Sequence, residues 1–284
     1  MTFATSISLA QVDEYQSSLS LQPGQEHRIS YVLTREVADK GTTVNVSASI
    51  LIKAVQPESF FAEWTTESTS YASQAGGKSL ALAVEELVGF PIEYWADKTG
   101  SPKTLSNKES LIERLVAGSS AFGSNSEAGK NVESILGSMS DRSFARMFLK
   151  LPTLLAICSE SNLRLGEPVQ YSTELANPIG DGTIDGFVYY ELKRLDRASN
   201  TAEIEYWSTY DPRSTQQLID ALLTQAKSNG ELSKDEPVSK WIDRIDRASC
   251  IINTQTGWVR TMTYSTDIRL LDNRISESYV ISVD

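Results

Sequence analysis

The sequence predicts an α+β fold: two related antiparallel β-sheet halves, each with a packed helix, joined by a helical insert. Three observations carry that reading. Long runs alternate apolar and polar residues, most clearly Val44, Val46, Ala48, Ile50, Ile52 and Ala54, and a period of two turns one strand face to a core. From Ser106 the pattern changes to the period of about 3.6 that marks helices. Finally, one order of elements occurs twice. A strand (Phe60–Thr66), a helix (Lys78–Val88) and a strand running into Asp97-Lys-Thr-Gly100 are followed later by a longer version. There two strands (Phe187–Asp196 and Thr201–Tyr210) precede a helix opened by Asp211-Pro212 and a strand ending in Asn253-Thr-Gln-Thr-Gly257. The chain thus divides into a lead-in (1–25), a first β-rich half (26–105), a helical insert (106–160) and a second β-rich half (161–284).

The elements follow in order. Residues to about Glu26 are rich in Ser and Gln, with a turn at Pro23-Gly24, and read as a loose lead-in. Ile29, Tyr31 and Leu33 alternate, and a turn at Lys40-Gly41 leads to the long run already described. Pro57 ends that run before Phe60–Thr66 returns. Such short connections predict antiparallel pairing. Leu80, Val84, Leu87 and Val88 share a helical face that Gly89 closes, and Pro91–Asp97 is a strand. Ser106-Asn-Lys-Glu109 fits a capping box ahead of Leu111, Ile112, Leu115 and Val116. Further helices are placed around Val132–Leu136 and from Ser140 or Asp141 to Leu151. In the second half, a loop over Asp196–Asn200 sets a hairpin register: Lys193 faces Glu203, Glu191 faces Glu205 and Tyr189 faces Trp207. Leu192 with Ile204 and Tyr190 with Tyr206 then form the core face. Asp211 caps a helix with Pro212 at its first position, and Leu218, Ile219, Leu222 and Leu223 are its buried side. Strands at Cys250–Thr254, Trp258–Leu270 and Ile275–Val283 close the chain.

Composition limits function. The 284 residues carry a net charge of −11, with an isoelectric point near 4.8, and Lys and Arg are scattered. That argues against nucleic acid, which needs a concentrated basic surface. No run approaches the roughly 20 apolar residues of a membrane-spanning helix. The start lacks a basic region, yet Ser8-Leu9-Ala10 resembles the small-residue end of a signal peptide, beside the plainer reading of an ordinary terminus. Cys158 and Cys250 allow a disulfide in an oxidising compartment and equally allow two buried thiols.

Candidate chemistry is sparse. His27 is the sole histidine, so a metal site or an activated nucleophile would have to use it; it reads as a surface residue at a strand start. Neither cysteine has metal-ligand spacing, and no cofactor motif is present. Gly180-Asp-Gly-Thr-Ile-Asp-Gly186 matches no nucleotide loop and reads as a solvent loop, with weak calcium binding as the alternative. Glu191, Glu203 and Glu205 share a sheet face where carboxylates could divide acid and base roles, but Lys193 beside them suggests charge pairing. No nucleophile motif appears among the serines. Aromatic residues on strands are the better lead. Trp64, Trp95, Tyr189, Trp207 and Trp258 are the candidate ligand-binding residues, on the inside of a curved sheet with helices as a lid. The competing reading is that helices pack there and fill the space.

Leu165-Gly-Glu-Pro-Val, the hairpin, the helix and Asn253-Thr-Gln-Thr-Gly-Trp-Val259 resemble uncharacterised exported bacterial proteins. Their strand-ending pattern carries an Asp where this chain has Asn253, and Asp97-Lys-Thr-Gly100 is a shortened echo of it. The layout is also similar to the lipoprotein-localisation carriers, whose curved antiparallel sheet is closed by helices over a lipid-binding cavity. The resemblance covers Leu165–Asp284 well and Glu26–Gly100 loosely. It implies an envelope location and carries over no functional residue. The expected function is therefore a non-catalytic, extracytoplasmic binding protein with an apolar small molecule or lipid as ligand. The alternatives are an interaction module with a protein partner at an open sheet edge, or a hydrolase using the sheet-face carboxylates.

Overall fold

A computed structural model describes residues 13–37, 40–74, 85, 87–119, 127–159, 162–177, 182–228, 242–270 and 273–284. The strands are β1 (Glu14–Tyr15), β2 (Glu26–Val37), β3 (Lys40–Val55), β4 (Ser59–Gln74), β5 (Pro91–Asp97), β6 (Pro102–Leu105), β7 (Leu163–Arg164), β8 (Val169–Ala176), β9 (Thr183–Asp196), β10 (Thr201–Tyr210), β11 (Ile242–Asn253), β12 (Val259–Leu270) and β13 (Asn273–Val283). The helices are α1 (Lys108–Ser119), α2 (Glu127–Ser138), α3 (Asp141–Phe148), α4 (Lys150–Ile157) and α5 (Pro212–Ser228).

The expected α+β pair of halves is corrected. One antiparallel sheet of 11 strands runs in the order β6-β5-β4-β3-β2-β13-β12-β11-β10-β9-β8, beside a two-stranded sheet of β1 and β7. Strand far outweighs helix among the described residues. The physical reason lies in a long-range pairing. The last strand bonds to the first long one, from Ile275↔Val37 to Val283↔Ile29, so two runs of neighbouring strands become one surface with no edge between them. Alternation within a strand says nothing about such a partner. The helix expected over Lys78–Val88 falls mostly outside the described residues, as do the loops around Ser119–Ser126 and Gly180-Asp181 and the insertion around Asn229–Pro237. Val88 forms a parallel bridge with Thr66.

The helical insert packs on one face of the sheet, here termed the inner face. Leu111 of α1, Leu136 of α2, Phe144 of α3 and Leu151, Leu154 and Leu155 of α4 join Phe60, Tyr94, Ile204 and Ile252 in one large core. Local signals place these elements. Ser140 caps α3 by accepting from the Ser143 N–H at 3.2 Å. Asn107, instead of serving a simple cap, ties α1 to β5 by accepting from the Glu93 N–H and donating to the Pro91 carbonyl. Cys158, just beyond α4, is disulfide-bonded to Cys250 of β11, with Cα atoms 6.4 Å apart. That bond fixes the end of the helical cover to the middle of the sheet.

The stretch expected to be a loose lead-in packs on the core from Asp13 onward. Tyr15 is buried, Leu19 and Leu21 lie against the large core, and the Ser20 N–H donates to the Thr256 carbonyl. Gly257 has φ of +72°, and a Cβ there would collide with the Ser18 carbonyl. The turn therefore needs glycine both for its backbone and for the strap that crosses it.

Candidate functional site

The β9–β10 hairpin fixes the geometry from which the site is read. Tyr206↔Tyr190, Trp207↔Tyr189, Glu205↔Glu191 and Ile204↔Leu192 pair as the sequence predicts, but a bulge shifts Glu203 to Arg194. Lys193 is the extra residue, and its ammonium lies 2.8 Å from Glu191 and 3.4 Å from Glu205. Two of the three carboxylates that could have divided acid and base roles, Glu191 and Glu205, are thus bridged by a cation on the outer face.

The five aromatic candidates do not come together. Trp64 is buried in the large core, and Trp258 is buried in the turn after β11, its ring 4.0 Å from that of His27. His27 is therefore half-buried under the strap's end and not a surface residue. The other three face outward. Tyr189 and Trp207 stack with ring centroids 4.8 Å apart, and Trp95 pairs with Phe61 at 5.3 Å. Trp95 also borders an open depression of about 350 Å³ lined by Gln56, Glu58, Asp97 and Lys103. Beneath the helices, the space between Leu19, Tyr94, Pro152 and Trp258 is about 20 Å³, room for about one water. The helices fill that part of the inner face.

Further along the inner face the chemistry changes row by row, because cross-strand partners share a face. The first row, Leu192–Ile204–Cys250–Met262–Ile281–Tyr31, is apolar and lies at the disulfide. The second, Tyr190–Tyr206–Ala248–Tyr264–Tyr279–Leu33, is rich in tyrosine; Tyr190 and Tyr206 are 5.3 Å apart and Tyr264 and Tyr279 6.0 Å. The third, Val188–Ser208–Asp246–Thr266–Glu277–Arg35, is polar. Beyond it, Tyr210, Ile184 and Ile242 join Ile219 of α5 in a second, small core. The polar row is thus a seam between two cores.

Its bonds are specific. Arg244 Nε donates to both Asp246 oxygens at 2.9 and 3.0 Å, and Ser208 Oγ donates to Asp246 Oδ2 at 3.0 Å. Burial alone would lower the Arg244 pKa, but the adjacent Asp246 carboxylate outweighs it and holds the guanidinium charged. At the other end, Glu277 receives Lys150 from α4 and lies 3.4 Å from Arg35 Nε. Lys150 also sits 5.2 Å above the Tyr279 ring. Burial pushes the Tyr206 phenol up to about 12 and raises those of Tyr264 and Tyr279 still further, so all three remain neutral donors. Between the two ion pairs, Thr266 is 3 % exposed, and its hydroxyl has no hydrogen-bond partner among the described residues.

Size drew attention to the tryptophans, whereas the seam was readable by parity. In Ile242-Asp-Arg-Ile-Asp-Arg-Ala-Ser-Cys250, alternation puts Arg244 and Asp246 on the same side as Ala248 and Cys250.

No family model and no curated protein matches the sequence. Among solved structures the chain is similar to one described as "lipid-protein interactions in lipovitellin", at a TM-score of 0.47 and 11% identity. The likeness covers 93% of this chain, which spans 25% of the length of that one.

Proposed function

We propose that this is a non-catalytic binding protein that holds an apolar or amphipathic ligand against the inner face of its sheet. The observation that carries the reading is the graded inner face, apolar at the disulfide, aromatic in the tyrosine row and charged at the seam. A ligand with a hydrocarbon body and a polar end matches that gradient, as binding sites pair an apolar lining with a few placed polar groups, and it would take the place of part of the cover that buries those rows. Glu191 and Glu205, two of the carboxylates that might have served a hydrolase, are bridged by Lys193 on the opposite face. The buried Cys158–Cys250 bond supports an oxidising, extracytoplasmic location. Native mass spectrometry of gently purified protein is the test. We expect either a copurified lipid-sized ligand or stoichiometric uptake of added oleate or oleyl alcohol. Protein that carries neither and takes up neither would overturn the reading.

A second reading rests on the unequal sheet edges. Edge strand β6 is four residues long and contains Pro102 and Lys103, which discourage pairing. Edge strand β8 has eight residues, Glu174 as its one charge and no proline. A protein partner adding a strand at β8 would use that edge. Sedimentation showing a strict monomer across concentration would count against self-association there.

A further inference from the structure

We infer that the β8 edge is the interface of a symmetric homodimer, in which two copies of β8 pair antiparallel about a two-fold axis at Thr173. This rests on the reading of β8 as a strand-adding edge and names its partner, a second copy of this chain.

Main-chain bonds show which side of β8 is open. The Asn177 N–H donates to the Gly182 carbonyl, and the Asp211 N–H donates to the Asp185 carbonyl. Asp185 thus turns its main chain to β10, and its neighbours Ile184 and Gly186 serve Leu175 and Thr173 of β8. Antiparallel bonds alternate along a strand, so the N–H and C=O groups of Gln170, Ser172, Glu174 and Ala176 point away from β9. They meet no other strand among the described residues. Such a row is a template for another strand, and β8 keeps it straight by pairing with β9 without a bulge. The opposite edge is guarded: β6 carries Pro102 and Lys103 and pairs through a bulge at Trp95-Ala96. Contact of β8 with a second copy's β6 would propagate as an open filament, and β6 opposes it. Pairing of β8 with β8 closes on itself.

The side chains fit that closure and place the axis. Cross-strand partners share a face, so the axis must pass through a residue and not between two. At Ser172 it would set Ala176 against Pro168, which has no N–H. At Glu174 it would set like charges face to face. At Thr173 all four outward residues find bonded partners. Tyr171, 43 % exposed, then meets the partner's Leu175 on the inner face. Leu175 packs against the small core, so each copy extends the small core of the other. On the outer face Ser172 meets the partner's Glu174, a donor opposite a carboxylate. Glu174 is the one charge of β8 and accepts from the Thr183 hydroxyl at 3.0 Å. The next carboxylate, Asp185, lies one strand inward and accepts from Ser214.

Cross-linking and sedimentation test the pairing. The two native cysteines are bonded to each other, so Thr173→Cys adds a lone thiol at the axis. Facing residues of a pair without mutual hydrogen bonds have Cα atoms about 4.5 Å apart, within disulfide reach. Mild oxidation should give a covalent dimer for Thr173→Cys and none for Lys103→Cys on the guarded edge. Sedimentation velocity of the native protein should shift from the mass of one copy towards two as concentration rises. Ser172→Pro deletes an N–H that serves no strand of its own chain, a change edge strands tolerate, and should lose the dimer with an unchanged unfolding midpoint. A strict monomer, equal cross-linking of Lys103→Cys, or a dimer that persists in Ser172→Pro overturns this inference alone. Protection of the Ser172 and Glu174 amides from hydrogen exchange in the dilute monomer would show the edge already taken, and would overturn the strand-adding reading as well.

Discussion

The two cores of this protein are unequal in size and in what covers them. The large one collects residues from nearly every strand of the sheet, from α1 to α4 and from the N-terminal strap, and a disulfide closes it. Among the described residues the small one has four that are buried, Ile184, Tyr210, Ile219 and Ile242, with α5 packed on it. Both lie on the same strands. Along β10 the chain passes from Tyr206 through Ser208 to Tyr210, and along β11 from Ala248 through Asp246 and Arg244 to Ile242. A continuous core would place apolar residues at those middle positions. Polar residues there keep the cores apart, and a buried ion pair is seldom a net gain over well-packed apolar groups. The difference teaches that the seam is maintained at a cost in stability, which is characteristic of functional positions.

The largest expected effect tests that inequality. Phe144→Ala in the large core should cost about 3–5 kcal/mol, and Ile219→Ala in the small core about 2 kcal/mol, because a site under one helix can collapse around the gap. Urea unfolding followed by Trp fluorescence measures both; equal losses would mean the two cores are one. Next comes the closure of the large core. The Cys158–Cys250 bond spans a sequence separation of 92, and replacing both cysteines with alanine should cost about 3 kcal/mol. Mass spectrometry after alkylation without reductant checks the bond itself, which should leave no cysteine modified.

A smaller effect has the opposite sign. Thr266→Val should raise stability by about 1 kcal/mol, because it replaces an unpartnered buried hydroxyl with a methyl group. A loss of that size would show that the hydroxyl is satisfied in solution. The smallest effect concerns the strap end. Burial against Trp258 holds the His27 imidazole below its ordinary value of 6.5. Between that folded pKa and 6.5 the unfolded chain takes up the proton first. The stability from this group is therefore whole above about pH 6.5 and is lost as pH falls. Thermal unfolding at pH 7.5 and pH 5 should show a larger fall in Tm for the native protein than for His27→Gln. Identical falls would remove His27 from the account.

What the sequence revealed follows the range of the interactions involved. Strand β10 begins and ends where alternation places it, Thr201–Tyr210, and the hairpin core face of Leu192, Ile204 and Tyr206 is buried as alternation requires. Asp211 caps α5 by accepting from the Arg213 N–H, as the Asp-Pro pair implies. These are short-range signals. The bulge at Lys193 escaped because one extra residue on one strand leaves no mark on the period of either. The pairing of β13 with β2 joins the two ends of the chain, and no local pattern encodes it. Missing that contact turned one sheet into two halves. For the site, parity on β9 and β10 grouped Tyr190 and Tyr206 with the core, whereas Arg244 and Asp246 lay ahead of the strand expected from Cys250, which begins at Ile242. Their meaning emerged only when β12 and β13 added Tyr264, Thr266, Glu277 and Tyr279 to the same rows.

The central claim is that a ligand's polar end enters the seam between the two cores. Hydrogen exchange with and without oleate tests it most directly, because protection reports where the backbone is stabilised. We expect added protection centred on the peptides holding Ser208, Arg244–Asp246 and Thr266, with little change on β3 to β6. Protection confined to the β8 edge or the outer-face aromatic pairs, or none anywhere despite bound oleate, would contradict it.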